Sequence, residues 1–142
     1  MIEDIELALT DAPPADMRDE LGRRLSAFNV ELLGPPDSRP LAITIRSKGD
    51  GALVGGLLGR TGFRRMFIEL LFVPADLRGR GLGRRILQQA EDEARKRGCL
   101  GAWLDTFNAE AKDLYVRCGY RVFGEIPDYP PGNARFFLSK EF

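Results

Sequence analysis

The chain has 142 residues, 21 basic and 21 acidic side chains, two cysteines and no histidine. That length predicts one domain over residues 1–142, able to bury roughly 70% of its unfolded surface, and a net charge of zero excludes broad nucleic-acid or membrane-surface binding. The missing histidine excludes Ser-His-Asp and Cys-His catalysis, His-ligated zinc and imidazole acid/base work, so proton transfer falls to Asp, Glu, Tyr, Cys, Lys or water.

The first residues, MIEDIELALTD, are acidic where a signal peptide is basic. Imperfect alternation of Ile2, Ile5, Leu7 and Leu9 predicts a short strand over residues 2–9. Asp11-Ala-Pro-Pro then opens a helix with proline in its first turn, and Met17, Leu21, Leu25 and Phe28 share one face of it. Gly34-Pro35-Pro36-Asp37 is a loop. Three strand-like runs follow, at 40–46, 52–60 and 64–73, and short turns at Gly49-Asp50-Gly51 and Arg60-Thr61-Gly62 predict an antiparallel meander. Pro74 stops the third run, because it has no amide to donate.

Residues 82–97 read as a helix with Leu82, Ile86, Leu87, Ala90 and Ala94 as its apolar stripe. Gln88, Gln89, Glu91, Asp92 and Glu93 cover the remaining surface, and Gly98 ends it. Residues 99–106 form another strand, Asn108 caps a helix over 109–117, and strands at 120–126 and 134–139 close the chain. Cys99 and Cys118 are too few for a disulfide scaffold or a Cys-only zinc site, so no metal is expected. No apolar run approaches the roughly 20 residues of a membrane-spanning helix, and the expected place of the protein is the cytoplasm. Strands and helices in this order make an α/β protein with a mixed, mostly antiparallel sheet and helices on both faces.

Charge is unevenly spread along the chain. Residues 78–85, RGRGLGRR, hold four arginines and no acid, which leaves 17 basic against 21 acidic groups elsewhere. This cluster follows a strand and opens a helix. Gly79, Gly81 and Gly83 let backbone amides converge on one anion, the helix N-terminus adds partial positive charge, and Arg78, Arg80, Arg84 and Arg85 add charge-assisted bonds. A tight turn with solvated arginines is the plainer alternative. A dinucleotide fingerprint fails at Arg84 and Ile86, and no glycine precedes a lysine as a P-loop requires.

The run Arg78-Gly79-Arg80-Gly81-Leu82-Gly83 resembles the acetyl-CoA motif of the GNAT superfamily of N-acetyltransferases. Downstream, Asn108, Ala111, Tyr115, Gly119 and Tyr120 are similar to that family's second motif. The resemblance implies a sheet splayed between the strands 64–73 and 99–106. It further implies that Leu71, Phe72 and Val73 pair with the pantetheine arm of acetyl-CoA and that residues 79–84, including Leu82, hold the pyrophosphate. It makes Tyr115 a candidate for the acid that protonates departing CoA, against a plain packing role beside Leu114. Asn108 matches a CoA-contacting position, and N-capping explains it equally well. Many relatives pair through C-terminal strands, which implies a homodimer.

The base is read from the residues. Glu69 is the only acid in the run 64–73, and strict alternation puts it on the face of Leu71 and Val73. The alternative is a rim glutamate paired with Arg64 or Arg65, and Asp105 or water are further candidates. In this family the acceptor contacts residues that here are Phe28, Asn29, residues 30–38, Asp128 and Tyr129. An apolar rim near Glu69, Asp105 and Asp128 leads to the expectation of a small cationic amine. The expected activity is acetyl transfer from acetyl-CoA to a small primary amine. A non-catalytic acyl-CoA sensor and transfer of another acyl group are the competing readings.

Overall fold

The computed structural model describes residues 1–142, which form two compact units, Met1–Pro35 and Pro36–Phe142. The first unit starts with a single 3-10 turn over Ile2–Asp4 and contains one helix, α1 (Met17–Leu33). The strand expected over residues 2–9 does not form. Ile5, Leu7 and Leu9 stand exposed with no strand beside them, and extended backbone persists only where its amides and carbonyls find partners. Nor does the helix open at Asp11. Pro13 and Pro14 precede it, because a residue before proline is driven out of helical geometry, and the Met17 amide donates to the Pro14 carbonyl at 3.1 Å. Met17, Leu21, Leu25 and Phe28 are all exposed.

The second unit contains β1 (Arg39–Arg46), β2 (Leu53–Gly62), β3 (Arg65–Phe72), α2 (Leu82–Lys96), β4 (Gly101–Thr106), α3 (Ala109–Arg117), β5 (Arg121–Pro127) and β6 (Ala134–Glu141). Its six strands form one sheet in the order β1-β2-β3-β4-β6-β5. Only β3 and β4 run parallel, so the sheet is mixed and mostly antiparallel. The meander of β1, β2 and β3 is as expected, but its second turn is displaced. β2 runs through Arg60-Thr61-Gly62, and Gly62 pairs with Arg65. That leaves a two-residue turn, Phe63-Arg64, with φ of 50° and 60°. Such type I′ geometry is usually marked by Asn or Gly. Here long-range bonds impose it: Phe63 N–H donates to the Pro36 carbonyl and Leu100 N–H to the Arg64 carbonyl, each at 2.8 Å.

A second irregularity lies within β3. Gly59 faces Ile68 while Leu58 faces Leu70, so Glu69 is an extra, bulged residue. A Cβ on Gly59 would come 2.3 Å from the Phe67 carbonyl oxygen, so glycine allows this close approach. The bulge breaks alternation. Met66 and Ile68 are buried, Glu69 and Leu70 are both exposed, and Leu71 returns to the core side opposite Leu57. Glu69 therefore does not share a face with Leu71, as strict alternation would have it.

α2 and α3 pack on one face of the sheet, where Ile86, Leu87, Ala90 and Ala94 of α2 meet Leu41, Leu57, Met66, Ile68, Ala102, Leu104 and Leu138. Both helices end alike. In α2 the Cys99 amide bonds back to Ala94 and the Gly98 amide to Arg95, with Gly98 at φ +82. In α3 the Tyr120 amide bonds back to Tyr115 and the Gly119 amide to Val116, with Gly119 at φ +96. These paired bonds satisfy carbonyls that a helix end otherwise leaves free. One expected surface residue of α2 is misplaced by periodicity: Glu91 is only 1% exposed, facing the junction with α3 rather than solvent.

Candidate active site

β3 and β4 are paired over only three residues each, Arg65–Phe67 with Gly101–Trp103. Beyond that they part. β3 continues to Phe72 and β4 to Thr106, and neither has a partner on the side facing the other. Backbone donors and acceptors at residues 68–72 thus line an open gap, a ladder ready to take an extended chain. Leu71 and Val73 are half-buried against the core cluster, and Phe72 is exposed.

The gap leads to the arginine turn. After Pro74 a 3-10 turn, Ala75–Leu77, brings the chain to Arg78, whose Nε donates to the Val73 carbonyl at 2.8 Å. This bond closes the turn, so part of Arg78 is structural. Gly79 and Gly81 sit at φ +78 and +74 with open space where a Cβ would stand. Gly81 is the N-cap of α2, and no acid occupies the helix's first turn. Arg80, Arg84 and Arg85 are exposed and none belongs to an ion pair or side-chain hydrogen bond in the fold. Leu82 joins the core cluster. Gly83 serves a different purpose from its two neighbours: a Cβ there would meet Leu114 Cδ2 at 3.1 Å, so it allows α3 to approach α2 rather than baring an amide.

Asn108 caps α3, its Oδ1 accepting from the amides of Glu110 at 2.8 Å and Ala111 at 3.2 Å. Its side-chain NH2 remains unengaged. Tyr115 is buried in the cluster that also takes in Leu71, Val73, Leu82 and Ala111. Burial, with a smaller effect from Cys118, pushes its phenol up to about 12. The other buried phenol, Tyr120, has its hydroxyl committed to Glu91 at 3.0 Å, whereas Tyr115 has no such partner. Cys99 is buried and its thiol is pushed up by desolvation, the opposite of an activated nucleophile.

The carboxylates expected to serve as base are placed unequally. Glu69 is about half exposed, with its nearest cation Arg60 at 3.9 Å. Arg64 and Arg65 turn elsewhere, Arg64 to the Gly98 carbonyl and Arg65 to Glu141. Asp105 accepts a two-pronged grip from Arg135, with Nε at 2.9 Å. Arg135 in turn lies over the rings of Phe107 and Tyr129, at 4.5 and 5.6 Å. Asp128 takes a positive φ of 53° in the loop before β6. Phe28 and Asn29 belong to α1, in the first unit. Arg135 was invisible to sequence reasoning, since its partner Asp105 is 30 residues away. A cavity of about 630 Å³ between β1 and α2 lies two strands from the gap and shares none of these groups.

A split parallel pair running into a glycine-arginine turn is a specific arrangement, and comparison with known proteins agrees with it. The Acetyltransferase (GNAT) family matches residues 5–120. A protein named as an acetyltransferase in Agrobacterium fabrum is 38% identical over 138 residues, covering 97% of this chain and all of the relative. The chain belongs to the GNAT acetyltransferase family. Blasticidin-S acetyltransferase of Streptomyces morookaense is 41% identical over 108 residues, 74% of this chain and 79% of that one. The crystal structure of a protein described as an acetyltransferase from Agrobacterium tumefaciens superposes with a TM-score of 0.93, at 38% identity, over 97% of this chain and 100% of that chain. The GNAT chain is thus an acyltransferase by family. It has no helix long and apolar enough to cross a membrane.

Proposed function

We propose that the protein transfers an acetyl group from acetyl-CoA to the primary amine of a small molecule, directly and within one ternary complex, with residues 1–142 acting as a single GNAT domain. The observation that carries this reading is the parting of β3 from β4 immediately before the arginine turn. The edge of residues 71–73 pairs with the pantetheine arm. The amides of residues 79–84 hold the pyrophosphate with Arg78, Arg80 and Arg84, and the free amide of Asn108 adds a further bond.

The amine nitrogen attacks the thioester carbon, so a C–N bond forms as the C–S bond breaks. The ammonium proton passes to Glu69, directly or through water, and the CoA sulfur takes the proton of the Tyr115 hydroxyl. With its phenol pushed up to about 12, Tyr115 arrives protonated at neutral pH. Asp105 is already engaged by Arg135, whereas Glu69 accepts no side-chain hydrogen bond and is free to take the ammonium proton. No protein nucleophile is needed, which suits a chain whose buried Cys99 is poorly ionised.

The acceptor is a small amine that reaches Glu69, Asp128 and Tyr129. Blasticidin S, named for a relative, and a cationic polyamine are the first candidates to try. The reading is completed by a cytoplasmic homodimer joined through C-terminal strands, for which the unpaired outer edge of β5 gives support. The test is release of CoA thiol from acetyl-CoA across a panel of amines, with acetylated product identified by mass. Calorimetric binding of acetyl-CoA without release for any amine would establish the sensor instead. Equal turnover with a neutral amide would remove the preference for a basic amine.

A further inference from the structure

Glu91 lies in the middle of α2, 1% exposed, and takes no part in the reaction above. A carboxylate at that depth is costly unless every oxygen is paired. Arg95 of the same helix stands 3.9 Å from Oε1, but the hydrogen-bond partners of Glu91 come from outside α2. Lys140 of β6 donates from Nζ to Oε1 at 2.7 Å, and the Tyr120 hydroxyl donates to Oε2 at 3.0 Å. Lys140 also donates to the Cys118 carbonyl at 2.9 Å, at the end of α3. Its stem crosses Gly119, where an added Cβ would stand 3.2 Å from Cε.

Both partners lead to Tyr115. The Tyr120 amide donates to the Tyr115 carbonyl at 2.9 Å, and the two rings meet edge to face at 6.0 Å and 61°. Tyr120 therefore touches both backbone and ring of Tyr115 while its own hydroxyl is tied to Glu91. One residue before Tyr115, Leu114 packs against Gly83 of the same helix α2. α3 is thus held to α2 at two places, by apolar contact at Gly83 and by charge at Glu91.

We infer that Glu91 is a positioning residue for Tyr115: with Lys140 and Tyr120 it sets where the phenol of α3 sits against α2. This rests on the reading of Tyr115 as proton donor. An apolar residue at 91 would pack α2 about as stably. Directional bonds to two partners on two elements instead admit one arrangement of the α3 end.

The experiment measures kcat and the KM for acetyl-CoA in Glu91→Gln, Tyr120→Phe, Lys140→Met and Lys140→Arg, alone and combined with Tyr115→Phe. Near-ultraviolet circular dichroism checks that each variant is folded. Glu91→Gln, Tyr120→Phe and Lys140→Met should each lower kcat by about 10- to 100-fold with the acetyl-CoA KM held, as small displacements of a reacting group do. Lys140→Arg should restore part of that loss. In the Tyr115→Phe background the same changes should add nothing. Fully additive losses there, or a raised KM with kcat kept, overturn the inference and leave the role of Tyr115 standing. Should Glu91→Gln fail to fold, Tyr120→Phe keeps the ring and loses only the hydroxyl, and unchanged kcat in that variant overturns the inference. An unchanged kcat in Tyr115→Phe alone overturns both.

Discussion

Phe67 and Trp103 stack at 4.2 Å, with planes 22° apart, on the last rung of the ladder between β3 and β4. They mark the closed end of the gap, and Arg60 lies over the outer side of Phe67 at 4.9 Å. Such a contact adds on the order of 1 kcal/mol to the area it buries. Trp103→Ala should lower stability by about 2 kcal/mol in urea titrations, less than a fully buried tryptophan would. It should also raise the KM for acetyl-CoA several-fold by letting the closed end open, and Trp103→Phe should recover most of both.

The two kinds of glycine in the arginine turn predict different failures. At Gly81 the space is open but φ is +74, so Gly81→Ala strains the backbone by about 1 kcal/mol and turns the capping amides away from the phosphates. Its signature should be a raised KM for acetyl-CoA with kcat little changed. At Gly83 the added methyl presses on Leu114 of α3 at 3.1 Å. Steady-state kinetics should then show the loss mainly in kcat, because the neighbour of Tyr115 has moved.

Tyr115→Phe removes one oxygen and leaves the packing. Turnover should fall by about 100-fold or more, the usual worth of a positioned acid, with acetyl-CoA affinity by calorimetry unchanged.

Burial of two phenols sets an alkaline limit. Burial raises Tyr115 to about 12, and burial together with Glu91 raises Tyr120 further. In the unfolded chain both titrate near pH 10. Above that pH the unfolded state loses protons that the folded state keeps, so folding stability falls as pH rises through 10 and beyond. Stability measured by urea should be flat in this respect below about pH 9 and should decline from about pH 10 to 12. Tyr120→Phe should make that decline shallower.

Asn108 has two candidate duties that one pair of variants separates. Asn108→Asp keeps the capping oxygen and loses the NH2, so stability should hold while the KM for acetyl-CoA rises. Asn108→Ala loses both, with about 1 kcal/mol of stability in addition.

Most of the second unit was legible from local pattern. The stripe Ile86, Leu87, Ala90, Ala94 located α2 because its period matches a helix, and Asn108 and Gly98 announced their caps by chemistry alone. Three features were not legible. The turn at Phe63-Arg64 carries no turn residue and is held by two bonds to groups outside the hairpin, from the Phe63 amide to the Pro36 carbonyl and from the Leu100 amide to the Arg64 carbonyl. The bulge at Glu69 arises where β3 must match the glycine-lined β2, and it reverses the face that alternation assigns. The expected strand at residues 2–9 had the right side chains and no partner.

The available chemistry can be read from residue types alone: no imidazole, a cluster of arginines among glycines at the start of a helix, and a tyrosine on a helix further on. These depend on residue type and short spacing, which a chain displays before it folds. Which of those groups are free to act depends on how the chain folds. Asp105 is committed to Arg135, Tyr120 to Glu91 and the Arg78 Nε to Val73, while Tyr115 keeps its hydroxyl free. Such commitments join residues up to 30 positions apart, and a hydrogen bond depends on distance in space rather than along the chain.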